Sequence, residues 1–357
     1  MGLAFLLEET TKEDSGRGRH GTGADGRGVL LVQRKVEMHC SRLRCLLRAV
    51  VPRAGAGPPA GTKPQWRYFA SSHSIATPDE YIPHHVTATS ADTHGNGRSG
   101  GLYFLVPGSS GRAAEIADML EDVEVRPSGR GHNVHLGKLD GEIDVGVVSS
   151  GMGCPSVDII LTEMIRLGAK RFIRVGSAGS MQPAVVKVGS LVVATGAVRD
   201  EATSKHYAPL EFPAMASPKV VSAMVAAAQS LGVSDTTFTG IIHSKDSLMA
   251  REFQEGFFVE ENRRYMQSLK ALGVIASEME ASHMFVLGAA HGGIPSPISR
   301  WATELEEIHM GCVLGVVGGD DPFADESAVI AAIDGAMALS LESVRHMHAM
   351  ESEEFGA

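Results

Sequence analysis

Short apolar runs alternate with segments of helical spacing along most of this chain. Leu102-Tyr-Phe-Leu-Val106 is apolar throughout and stops at Pro107-Gly108, which reads as a buried strand. Ala113 to Leu120 then carries apolar residues at helical spacing. Glu142 to Ser149 is a second strand, ended by Ser150-Gly-Met-Gly-Cys-Pro155, and Ser156 to Leu167 is a helix beginning near that proline. Arg171-Phe-Ile-Arg-Val175 is a strand that Gly176-Ser-Ala-Gly179 is expected to end. Further on, Ser190–Ala197, Thr237–His243 and Cys312–Val317 read as strands. Pro218–Leu231, Ala281–His291 and Ala328–Met350 read as helices. Near-continuous apolar strands between amphipathic helices predict an α/β sheet covered on both faces. In such sheets ligands gather at the strand ends, where several loops here are rich in glycine.

Charge divides the chain into two unlike parts. Residues 1–78 hold twelve Lys/Arg and six Asp/Glu, whereas the whole chain of 357 residues has a net charge of −10. The remainder is therefore strongly acidic, which speaks against nucleic acid as a partner. The first 78 residues contain Gly-Arg-Gly-Arg and Gly-Ala-Gly-Pro-Pro-Ala-Gly but little periodic apolar pattern. They read as a disordered leader ahead of one domain over 79–357. Ser41 to Val51 is Arg-rich and amphipathic, and Arg67-Tyr-Phe-Ala-Ser-Ser72 has the look of a cleavage region. A mitochondrial transit peptide starting at Met38 is one reading and a tail on a cytoplasmic protein is the other. With 43% apolar residues the chain has material for a substantial core, and no apolar run reads as long enough to span a bilayer. Its four cysteines form no metal-ligand spacing and no disulfide framework.

An acidic body that binds an anion must do so with a local cluster of cations. Arg174 is the strongest candidate, because an arginine inside an apolar strand has to find an anionic partner. Pro107-Gly-Ser-Ser-Gly-Arg112 and Ser128-Gly-Arg130 offer two more arginines beside glycine, where backbone N–H groups can approach oxyanions. Glu278-Met-Glu280 supplies carboxylates just before a helix. The Gly151-Met-Gly153 turn is weak evidence for a dinucleotide site, since Pro155-Ser156 stands where a third glycine is needed.

Together these segments and Val198-Arg-Asp-Glu-Ala-Thr-Ser-Lys-His-Tyr-Ala-Pro-Leu-Glu-Phe-Pro213 resemble the nucleoside phosphorylase family, uridine phosphorylase branch. The likeness runs from about Tyr81 to Met350. It implies a single-domain, three-layer α/β/α sandwich with a central mixed, partly barrel-like sheet. It also implies reversible phosphorolysis of uridine to uracil and ribose 1-phosphate, with inorganic phosphate as co-substrate and no cofactor. By the same match Gly108, Arg112, Arg174 and Ser177 bind phosphate. Glu280 takes the ribose hydroxyls, Met279 packs on the sugar, and Gly179 lies under the base. His85 and Arg130 match residues that cross to a neighbouring subunit, so a homodimer at least is implied. The family's potassium site uses a Glu where Gly131 stands, so no metal is expected.

The base end departs most from the family. Its Gln-x-Arg loop corresponds to Asp246–Gln254, where Arg251 matches the arginine, Met249 replaces the glutamine, and Gln254 follows instead. Leu248 falls at the family's aromatic base-stacker. Arg251, with Gln254, is nevertheless expected to meet the uracil carbonyls. A purine phosphorylase using Asp320 as the acid is the alternative, since Val317-Gly-Gly-Asp-Asp321 lies near that family's Ser-Asp. A non-catalytic nucleoside-binding or storage relative is another, and a dinucleotide-dependent oxidoreductase a distant third. The segment Ile294–His309 reads as an insertion.

Overall fold

The computed structural model describes residues 78–94, 102–292, 307–319 and 326–356. The leader read over 1–78 lies outside these residues except for Pro78, and so do Asp320 and most of the segment 294–309. All described residues belong to one compact unit, Ile75–Ala357. After a short turn of helix at Ala91–His94 come β1 (Tyr103–Pro107), α1 (Ser110–Ala117), β2 (Glu121–Arg126), β3 (Val134–Leu139), β4 (Ile143–Val148) and α2 (Cys154–Arg166). There follow β5 (Arg171–Ser180), β6 (Leu191–Asp200), β7 (Ala214–Met215), α3 (Pro218–Ser230), β8 (Thr237–Lys245), a single turn at Leu248–Arg251 and α4 (Val259–Ala271). The chain ends with β9 (Ala276–Glu278), α5 (Ala281–Gly292), β10 (His309–Gly318) and α6 (Glu326–Gly356).

The strands form one mixed sheet in the order β10-β6-β8-β9-β5-β1-β4-β3-β2, and β10 also pairs with β5. That extra pairing closes β5, β10, β6, β8 and β9 into a five-stranded barrel, from which β1, β4, β3 and β2 extend as an open wing. Closure depends on long strands. β5 pairs with β1 and β10 through Arg171–Val175, then continues to pair with β10 through Gly179 and with β9 at Gly179 and Ser180. Gly176-Ser-Ala-Gly179 therefore does not end the strand, contrary to the expectation from its composition. The glycines thin the strand where it is crowded: a Cβ on Gly176 would stand 2.6 Å from Leu314 and 3.1 Å from the Arg174 guanidinium.

Side-chain alternation sorts the core into two layers. On one face Phe104, Val106, Phe172, Cys312 and Leu314 pack with α2 and α5. On the other, Leu105, Ile173, Val175 and Val313 pack with α1, α3 and α6. Phe104 and Phe172 stack at 5.9 Å across the first layer, and truncating either to alanine costs about 3–5 kcal/mol. Helix α6 is long and apolar enough by length and composition to cross a membrane, whereas the sequence reading found no apolar run that long. Here it is a core helix, with Ala336, Leu339, Val344 and Met347 buried against the sheet and α3.

Candidate active site

The second half of β5 and the loops after β1, β2, β4, β8 and β9 converge on a cleft of about 750 Å³. At one end Ser109 caps α1, its hydroxyl accepting from Arg112 N at 3.2 Å, which turns Gly108 and Arg112 inward. Burial, and then the charge of Arg174, lower the pKa of the Arg112 guanidinium. Two arginines brought together in this way favour an anion between them.

Arg174 is 4% exposed and sits between two carboxylates. Its Nε donates to Glu278 Oε2 at 3.0 Å and its Nη2 to Glu280 Oε2. Its Nη1 is buried and has no hydrogen-bond partner among the described residues. The two glutamates of the Glu278-Met-Glu280 motif do different work. Glu278 is 3% exposed and accepts from Glu280 N at 2.8 Å and Ala281 N at 3.0 Å, so it caps α5. Burial alone would raise its pKa, but Arg174, Ser244 and those N–H groups outweigh burial and hold it low. Glu280 faces the cleft. Burial raises its pKa, the charge of Glu278 adds to the rise, and Arg174 and Gly153 N–H only partly oppose it. Gly153, at φ +81°, presents its N–H to Glu280 Oε1 at 2.6 Å, an orientation in which a side chain is strained.

Most of the residues implicated by the sequence share this cleft: Gly108, Arg112, Arg130, Arg174, Ser177, Gly179, Met279 and Glu280 all line it. Arg130 is exposed on the rim of its own chain's cleft. His85 does not line it; its Nδ1 meets Glu163 Oε1 at 2.8 Å, and Glu163 also accepts from the backbone N–H groups of His84, His85 and Val86.

Arg251 and Gln254 are also outside the cleft lining. Arg251 donates to both oxygens of Asp200 at 2.7 Å and to Asn262 at 2.6 Å, and its guanidinium lies 4.3 Å from the Tyr265 ring centroid. Matched by its distance to Glu280 along the chain, Arg251 is turned to the far side of its loop by the aspartate. Gln254 has φ 58° and accepts from Arg263 at 2.9 Å. The part of the cleft where the base is expected is lined instead by Lys245, Leu248, Met249, Glu252, Phe253 and Ser277. Lys245 went unnoticed because the strand Thr237–Lys245 runs two residues past the apolar run. Glu252 had no signal beyond its place beside Arg251.

The segment Val198–Pro213 contributes nothing to the cleft lining. Arg199 is 7% exposed and donates to Ser204 Oγ and to the carbonyls of Ser204, Ala208, Pro209 and Phe212, stapling its own loop. Tyr207 Oη donates to Asp158 at 2.5 Å, and Asp158 also meets His283 Nε2 at 3.1 Å. This segment therefore acts on the fold, and Asp158 on α2 ties it to His283 on α5.

The sequence and the fold that carry this cleft match a known family. The family model described as the phosphorylase superfamily matches residues 103–330. The chain belongs to this superfamily. A uridine phosphorylase of Thermococcus kodakarensis is 34% identical over 227 residues, 63% of this chain and 78% of that protein. A guanosine phosphorylase of Halorubrum lacusprofundi is 34% identical over 188 residues, 53% of this chain and 72% of its own. The crystal structure of uridine phosphorylase from Vibrio fischeri superposes with a TM-score of 0.57 at 27% identity, covering 69% of this chain and 93% of that one. The mixed sheet with its closed barrel is thus the superfamily's fold, as the resemblance implied.

Proposed function

We propose that the protein catalyses the reversible phosphorolysis of uridine, giving uracil and ribose 1-phosphate. The observation that carries this reading is the buried, unpartnered Nη1 of Arg174 beside Arg112. A buried donor without an acceptor is costly, and a phosphate oxygen satisfies it. In this reading phosphate is held by Arg174, Arg112, Ser177 and Gly108 N–H. Glu280, whose carboxylate has lone pairs beyond those engaged by Arg174 and Gly153, accepts the ribose hydroxyls. Met279, half-buried at the cleft wall, packs on the sugar.

The C1′–N1 bond stretches as phosphate approaches C1′. Its electron pair passes to the base, and the sugar carries positive charge between phosphate and Glu280 until the C1′–O bond to phosphate forms. Catalysis is then positioning and preorganised charge. We extend the reading to a homodimer in which His85 serves a second chain's cleft. It is supported by the absence of His85 from its own cleft and by the fixing of its Nδ1 on Glu163. The deciding experiment is uracil release from uridine with and without phosphate, set against inosine and guanosine. Release that needs no phosphate, or faster turnover of the purine nucleosides, would overturn the proposal.

A further inference from the structure

The base end of the cleft holds an ion pair that none of the family motifs assigns. Lys245 closes β8, is 1% exposed, and places Nζ 2.6 Å from Glu252 Oε1 and 2.8 Å from Ser277 Oγ. Glu252 keeps a quarter of its side chain exposed to the cleft. Its other oxygen, Oε2, lies against Gly179, 3.5 Å from where a Cβ would stand. Behind the pair runs a chain of hydrogen bonds. Ser277 Oγ meets His243 Nδ1 at 3.0 Å, His243 Nε2 meets Asp200 at 2.9 Å, and Asp200 is clasped by Arg251. Arg251 thus belongs to the support of this wall, and the groups at the cleft face are Lys245 and Glu252. A buried lysine is costly unless paired, so Glu252 is held where Lys245 puts it.

We propose that Glu252 reads the ring N–H of the nucleobase, with Lys245 as its positioning residue, in place of the Gln-x-Arg pair of the uridine phosphorylase branch. The inference rests on the uridine phosphorolysis reading and names how that site chooses its base. A carboxylate only accepts hydrogen bonds. Uracil in a nucleoside offers it N3–H. Cytosine offers a lone pair at N3, which leaves both partners unpaired and repelling each other. A carboxylate alone would oppose the negative charge that builds on departing uracil. The Lys245 ammonium beside it offsets that charge.

The test compares uridine, 3-methyluridine and cytidine as substrates for the full chain with inorganic phosphate. The unaltered protein is expected to favour uridine over 3-methyluridine by about 100-fold or more in kcat/KM. Glu252→Ala should bring that ratio down by about 10- to 100-fold through loss of uridine turnover, with the KM for phosphate little changed. Glu252→Gln should narrow the gap between uridine and cytidine, because an amide can donate as well as accept. Lys245→Met should lower the uridine/3-methyluridine ratio in the same direction, a readout that mere loosening of the fold would not move. Release of uracil with all of these ratios unchanged in folded variants would overturn this inference alone. No uracil release by the unaltered protein would overturn the phosphorolysis reading and this inference with it.

Discussion

Arg174→Lys isolates the group on which the proposed chemistry depends. Lysine keeps one positive charge between Glu278 and Glu280 but loses the planar fork, and with it the buried Nη1 that has no partner among the described residues. Alanine is the poorer choice, since stripping the cation from two buried carboxylates costs about 3–5 kcal/mol of stability and could unfold the chain. The loss can be worked from the bonds. An anion bound at Nη1 gains a charge-assisted hydrogen bond of about 1.5–3 kcal/mol and relieves an unsatisfied donor worth about 1–3 kcal/mol. Losing both removes about 2.5–6 kcal/mol, which is about 60-fold or more in kcat/KM for phosphate at about 1.4 kcal/mol per tenfold. The assay is initial-rate uracil release across a phosphate series at saturating uridine, with thermal unfolding run alongside. Near wild-type kcat/KM for phosphate in a folded Arg174→Lys protein would refute the reasoning, because the buried Nη1 would then have no role in binding the anion.

Three further outcomes follow from the geometry. Burial and Glu278 raise the pKa of Glu280 above its ordinary value of 4.5, so as pH falls it takes up its proton earlier than an exposed carboxylate. The acid limb of kcat/KM for uridine should therefore lie above the usual carboxylate range, and a limb at or below that range would count against Glu280 as the ribose acceptor. Arg251→Ala should destabilise the fold by about 1–3 kcal/mol in denaturant titrations, through Asp200 and Asn262, while leaving the KM for phosphate in place. A raised KM for phosphate would contradict the position described here. Mixing His85→Ala chains with Arg174→Lys chains should give more activity than the two measured apart, since one hybrid cleft regains both groups. Verified mixed dimers without recovery would exclude the shared site.

The same residues show how far the chain could be read in one dimension. Strands β1, β4, β5 and β10 were legible because both their faces are buried, which makes their sequences apolar throughout. Strand β2 was not: Glu121-Asp-Val-Glu-Val-Arg126 lies on the sheet edge with no buried residue, so nothing required it to be apolar. Strand β9 is three residues long, and α4 buries only Asn262 and Leu269, too little for either to leave a periodic trace. That Gly108, Arg112, Arg174 and Glu280 share one cleft was legible because each sits in a short motif whose backbone does the positioning. Examples are the capped turn at Ser109 and the helix start after Glu278.

The lining around Lys245 and Glu252 could not be read in this way. Arg251 and Glu252 are neighbours in sequence, yet only Glu252 lines the cleft, because Asp200 on β6 draws Arg251 to the other side. The sequence alone determined the layered α/β class and the chemistry available at each strand end, because burial and backbone turns write themselves into local composition. The pairing of β5 with β10 that closes the barrel, which only the family resemblance implied, and the turning of Glu252 rather than Arg251 to the cleft belong to the tertiary structure. Each depends on a partner more than fifty residues away in the chain, and no local pattern carries that distance.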